Sequence, residues 1–156
     1  MDLNEDQKNI LDLFVKQELL IEKLYQLFAE RYPAYKDFWN KMAKEEYQHS
    51  ILIHRITESD SIVFSQGELR SEYLNSSMDF IEKFIGEFKK DKSFPIEQAA
   101  LKATQLEKGL WERNVFQYFE TDSEDVKKIM ETLNSEQKFH IKKIDRFASQ
   151  FLAKNR

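Results

Sequence analysis

The sequence predicts an all-α fold: a four-helix bundle of two antiparallel helix hairpins, joined by a long crossover that contains an extra helix. Three observations predict it. The 156 residues include Gly 3 and Pro 2, too few turn-formers for a β-rich chain. Apolar residues recur three and four apart through long stretches, the period of an amphipathic helix. Hydrophobic residues are 41% and charged residues 33%, the balance of helices packed round one core, so a single domain is expected over 1–156.

Each element follows from local signals. Asn4 with Gln7 three residues later reads as a helix start, and the apolar stripes through Leu13, Leu20 and Leu27 and through Phe14, Ile21 and Phe28 carry a first helix over about 4–31. Tyr32-Pro33 stops it, and Pro33 suits the first turn of a second helix over about 33–57. A polar linker follows, around the short run Ile62-Val63-Phe64. The third pattern, about 68–90, carries Leu74, Met78, Ile81, Ile85 and Phe88, with Phe80 and Phe84 widening its apolar face. It has no inward acid or histidine and reads as a covering or crossover helix, with a face broad enough for a homodimer contact. Pro95 opens a fourth helix over about 95–120. Thr121 with Glu124 is a capping-box pattern ahead of a fifth helix over about 123–153.

Charge and composition exclude several function classes. A net charge of −4 with no basic stripe gives no reason to expect nucleic acid. No apolar run is long enough to span a bilayer, so no membrane partner is expected. Cys 0 removes disulfides, thiolate chemistry and cysteine metal sites. The acidic start, Met1-Asp2-Leu3-Asn4-Glu5-Asp6, has no apolar signal segment, so the expected location is cytoplasmic.

The chemistry lies in polar residues that interrupt apolar stripes. Glu46 and His49 are three apart, and they fall with Met42, Ile53 and Ile56 on the inward face of the second helix. Glu18 interrupts a stripe of the first helix, Glu107 sits in the apolar arc of the fourth, and Gln137 and His140 repeat the three-residue spacing on the fifth. The midpoint of Glu18 and Glu46 is residue 32, beside the Tyr32-Pro33 break, and that of Glu107 and Gln137 is residue 122. Each pair is therefore roughly 21–22 Å from its own turn at about 1.5 Å of rise per residue, at equal height in an antiparallel hairpin. A lone Glu-x-x-His is common in a glutamate-rich helical chain. Here, though, two of the three histidines face inward, each at matched depth with a glutamate. Clustered inward carboxylates repel one another and are costly to desolvate, and a cation removes both costs.

With these residues in place the chain resembles the rubrerythrin branch of the ferritin-like diiron-carboxylate proteins. Glu18 followed by Tyr25 resembles that family's first-helix signature, and Glu45-Glu46-Tyr47-Gln48-His49 its second. Leu106-Glu107 and His140 stand where its third- and fourth-helix ligands belong. The resemblance implies a ferritin-like fold with Glu46 bridging two irons, His49 and His140 as ligands to one iron each, and Glu18 and Glu107 as terminal carboxylates. It implies an oxidoreductase, a peroxidase or oxidase or an iron-oxidising protein, served by an external electron donor, because no cysteines form a rubredoxin-like site. Gln137 departs from the pattern, standing where a second bridging glutamate is expected. The neighbouring Glu136 reaches inward only if the helix is locally adjusted. Three carboxylates against two ferrous ions leave the second position the weaker one. Zinc or manganese, or one ion alone, suits the same ligand types. A metal-poor bundle acting in oligomerisation or partner binding is the alternative.

Overall fold

The computed structural model describes residues 5–58, 62–64, 71–112 and 119–154. Helices dominate them: α1 (Glu5–Arg31), α2 (Lys36–Thr57), α3 (Ser71–Lys90), α4 (Ile96–Glu112) and α5 (Glu124–Lys154). A 3-10 turn at Pro33–Tyr35 joins α1 to α2. Pro33 takes a first-turn position as expected, but the turn it opens is this 3-10 turn, and α2 begins at Lys36. Asn4 and residues 68–70 lie outside the described residues.

The fold is all-α as expected, with one small addition of two three-residue strands. β1 (Ile62–Phe64) and β2 (Phe119–Thr121) pair antiparallel, with Val63 opposite Glu120. The fourth helix was expected to continue to residue 120; α4 is described over Ile96–Glu112, residues 113–118 lie outside the described residues, and Phe119–Thr121 is strand, not helix. Phe119 is aromatic and Thr121 β-branched, which suits extended backbone once Ile62-Val63-Phe64 supplies a partner strand. The cap of α5 also differs. Ser123 Oγ, not Thr121, accepts the Val126 N–H at 3.3 Å, while Thr121 Oγ1 accepts the Ser123 N–H at 3.1 Å.

The core falls into two apolar clusters. One gathers Leu24, Tyr25, Phe28, Trp39, Met42, Phe84, Phe88, Ala103, Ile144 and Phe147 towards the α1–α2 turn. The other gathers Leu11, Phe14, Ile53, Ile56, Leu74, Val126 and Leu133 at the opposite end. Each large side chain so buried contributes roughly 1.5–3 kcal/mol. α3 packs on α1 through Phe28, whose ring lies 5.0 Å from Phe88 and 6.3 Å from Phe84. Arg31 secures the contact by donating to the Phe88 and Asp91 carbonyls at the end of α3. Of the two phenylalanines that widen α3, Phe84 is buried, and Phe80, 49% exposed, has the Lys102 ammonium 4.9 Å above its ring.

Between the two clusters lies a polar layer. Among the described residues the buried polar side chains are Gln17, Glu46, His49, Ser50, Thr104, Glu107 and His140. Along α1 the order is Leu11 and Phe14, then Gln17, then Ile21 and Leu24; along α5 it is Val126 and Leu133, then His140, then Ile144 and Phe147. The equal heights expected from the hairpin midpoints therefore converge on one level, where water is excluded above and below.

Candidate metal centre

Four helices supply that layer. α1 brings Glu18, α2 brings Glu46 and His49, α4 brings Glu107, and α5 brings Gln137 and His140. Three-residue spacing sets each histidine on the same helix face as the polar residue before it. Ligand atoms of Glu18, Glu46 and His49 lie within 4.8 Å of one another, and so do those of Glu46, Glu107 and His140. Glu46 belongs to both groups. The five residues expected to meet do meet.

Glu46 is 1% exposed, and neither of its carboxylate oxygens has a hydrogen-bond partner. His140 Nε2, also buried and without a hydrogen-bond partner, lies 2.5 Å from Glu46 Oε1 and 3.0 Å from Glu107 Oε1. Three buried polar atoms thus converge on one point in close ion-pair contact but with no aligned hydrogen bond, which leaves them short of full satisfaction, at a cost of roughly 1–3 kcal/mol each. Carboxylate oxygens with imidazole nitrogens form a donor set for iron, manganese or zinc. The residues present fit a divalent cation on both geometry and chemistry.

The electrostatics state the same need. Burial, then the nearby Glu107 charge, pushes the Glu46 carboxyl up to about 7. Burial, then the Glu46 charge, holds Glu18 well above the usual carboxylate range. Burial also works to raise Glu107, but the charge on His140 beside it overcomes that, and the Tyr25 hydrogen bond helps bring this carboxyl down to about 2. Burial works to lower His140, and the charges of Glu107 and then Glu46 override it, so this ring holds its proton more firmly than an ordinary histidine. Without a cation the cluster is a proton trap; a cation would take the place of those protons.

Gln137 and Glu136 take different places from those expected. The Gln137 amide donates to Glu107 Oε2 at 2.8 Å. Glu136, 46% exposed, reaches His49 Nε2 at 2.9 Å from outside the cluster. It needs no local adjustment, because α5 is continuous past it, and it belongs to neither ligand group.

Glu45 and Tyr25, quoted from the sequence as parts of the two signatures but given no role there, also touch the cluster. Glu45 Oε2 lies 3.0 Å from His140 Nδ1, while its Oε1 accepts a hydrogen bond from Lys143. Burial notwithstanding, His140 and Lys143 hold the Glu45 carboxyl at about 2, fully charged at neutral pH. A signal was present: Glu45-Glu46-x-x-His49 and Glu136-Gln137-x-x-His140 are one pattern written twice. The outer glutamate of each motif grips the histidine of the other, which fixes both rings. Tyr25, wholly buried, donates to Glu107 Oε1 at 2.6 Å, beyond the packing role that an apolar stripe suggests for it. His54, expected to play no part, is exposed on α2 beside Thr57 and Glu58.

No protein-family model, no curated protein and no solved structure matches this chain. Among the described residues no helix is long and apolar enough to cross a membrane.

Proposed function

We propose that this chain is a ferritin-like four-helix bundle in which α3 lies on the crossover between two hairpins, and that it is a non-haem diiron protein. Its role is to bind iron in the polar layer and react with dioxygen or peroxide. The observation that carries the reading is Glu46: one buried carboxylate, both oxygens without hydrogen-bond partners, common to two carboxylate–histidine groups. A residue so placed is suited to bridge two cations.

In this reading Glu18, Glu46 and His49 hold one ion, and Glu46, Glu107 and His140 the other. Two ferrous ions, when bound, supply the two electrons that reduce peroxide. The protein's own groups do the rest. The two apolar clusters keep bulk water from the layer. Glu45 and Glu136 orient the two imidazoles. Tyr25 fixes the rotamer of Glu107 and is the nearest side-chain hydroxyl to that carboxylate for handing on a proton. Electrons come from a donor outside these 156 residues, which hold no cysteine for an iron–thiolate centre. The metal-poor alternative is opposed by the orphaned atoms, which a bundle built only for partner contacts has no reason to bury.

The test is direct. Tag-free protein is loaded anaerobically with ferrous iron and then exposed to air or peroxide. The expected result is near two irons per chain and a new near-ultraviolet absorption, both abolished by Glu46→Ala. A chain that stays colourless and holds no iron tightly overturns the reading.

A further inference from the structure

Gln137 does more than withhold a charge. A glutamine carries both a donor and an acceptor, and next to a carboxylate only its NH2 end bonds well. Its N–H groups, not its oxygen lone pairs, therefore face Glu107 at 2.8 Å. Glu107 already receives the Tyr25 hydroxyl at 2.6 Å and stands 3.0 Å from His140 Nε2. Both oxygens of this carboxylate are engaged, Oε1 by Tyr25 and His140 and Oε2 by the positive end of the Gln137 amide. Glu18 differs: its carboxyl is set against Glu46 and His49, and it accepts no hydrogen bond from an amide or a tyrosine among the described residues. The two halves share Glu46 and each has one histidine braced by an outer glutamate. They differ in what already occupies the remaining carboxylate.

Resting on the metal-binding reading above, we propose that the site is unequal by construction. The Glu18–Glu46–His49 half holds a resident divalent cation. The Glu46–Glu107–His140 half is an exchangeable position, gated by Gln137. For Glu107 to close on a second cation with both oxygens, the Gln137 amide has to leave Oε2 and the hydrogen bond has to break. The protein then keeps one ion in place and admits another transiently, as suits a protein that oxidises or passes on a metal ion, not one that locks a fixed pair.

The full metal-free chain is titrated with manganese(II), following heat and the electron paramagnetic resonance of the bound ion. The wild type is expected to take one equivalent tightly, with the six-line signal of an isolated ion. A second equivalent follows at least tenfold more weakly and couples to the first. Gln137→Glu, almost the same shape, is expected to bring the second affinity to within about threefold of the first. His49→Gln abolishes the tight step and His140→Gln leaves it. Two equal equivalents in the wild type, an unchanged second affinity in Gln137→Glu, or loss of the tight step in His140→Gln overturns the gate while the dinuclear reading stands. No manganese bound by any of these proteins, with none of the iron loading above, overturns both.

Discussion

The two helix pairs meet at one level but arrive in different states. The pair α1 and α2 delivers Glu18, Glu46 and His49, two carboxylates whose protons are held by burial and mutual repulsion. The pair α4 and α5 delivers Glu107 already engaged, by hydrogen bonds from a tyrosine and an amide and by the charge of a histidine. Where one half is poised for a cation by the cost of burying charge without one, the other has its carboxylate already held by hydrogen-bond donors. Similar spacing along the chain has been put to unequal use, and the substitution that separates the halves is Gln137 against Glu46.

The largest expected effect breaks the comparison by removing what the halves share. Glu46→Gln is expected to abolish both cation-binding steps, read by calorimetric titration. The same variant removes a buried carboxyl that forms no aligned hydrogen bond and whose charge is costly to bury, so the metal-free protein is expected to gain roughly 1–3 kcal/mol in chemical denaturation above pH 7. Function lost and stability gained together mark a group kept for binding. A loss of stability would mean that Glu46 is satisfied in the metal-free fold after all.

The pH dependence of the metal-free protein should show the same imbalance. Glu46 is raised from an ordinary 4.5 to about 7, so its proton is held more tightly in the native state. Its contribution to stability is complete below pH 4.5 and lost as pH rises to about 7, worth about 3 kcal/mol by linkage. Glu18 acts in the same sense, and His140, raised in turn, sheds its contribution as pH climbs through its elevated value. Glu107 and Glu45, both lowered to about 2, oppose this only as pH falls below 4.5 towards 2. Melting temperatures should therefore fall from pH 5 to pH 8 without metal, while cation affinity rises, because binding displaces the same protons. A flat or rising metal-free profile would sink the proton-trap account.

How much of this was legible in the chain follows from what sequence spacing can carry. Helix period and distance from a turn are one-dimensional quantities, so the inward direction of Glu46 and the common depth of Glu18, Glu107 and His140 could be read directly. The strand at Phe119–Thr121 could not, because the β1–β2 ladder depends on a partner more than fifty residues away. The outer shell was also hidden. Glu45 and Glu136 lie on stripe flanks, where an acid is ordinarily solvated, and only the crossing of α2 and α5 shows each facing the other helix's histidine. Gln137 was visible as a missing charge, but its role as a donor to Glu107 is a property of three dimensions.

That crossing gives a sharper test of the two halves, because the braces are exchanged between helices. Glu136→Ala, although on α5, should weaken the cation held by His49, and Glu45→Ala, although on α2, the one held by His140. Losing a carboxylate that orients a ligating imidazole typically costs 10–100-fold in affinity. Titration of each variant should show the loss in the step belonging to the opposite helix. Glu45→Ala also leaves Lys143 without its carboxylate, but this pair is partly exposed and adds little to stability. If each variant instead weakened the step of its own helix, the paired motifs would have to act within helices and the reciprocal arrangement would fail.

The smallest effect separates Tyr25 from Gln137, the other fixed donor on Glu107. Tyr25→Phe keeps the ring contacts with Trp39, at 5.3 Å, and Phe28, at 6.2 Å, and removes the hydroxyl alone. A hydrogen bond to a charged acceptor is lost, so the metal-free protein should be destabilised by about 1.5 kcal/mol. The freed Glu107 Oε1 should then let the second cation bind a few-fold more tightly, while the first is unchanged. Opposite signs on stability and affinity are what a donor standing in for a cation predicts. If the variant weakened both cations equally, Tyr25 would be holding the whole layer in shape, and the inequality between the halves would rest on Gln137 alone.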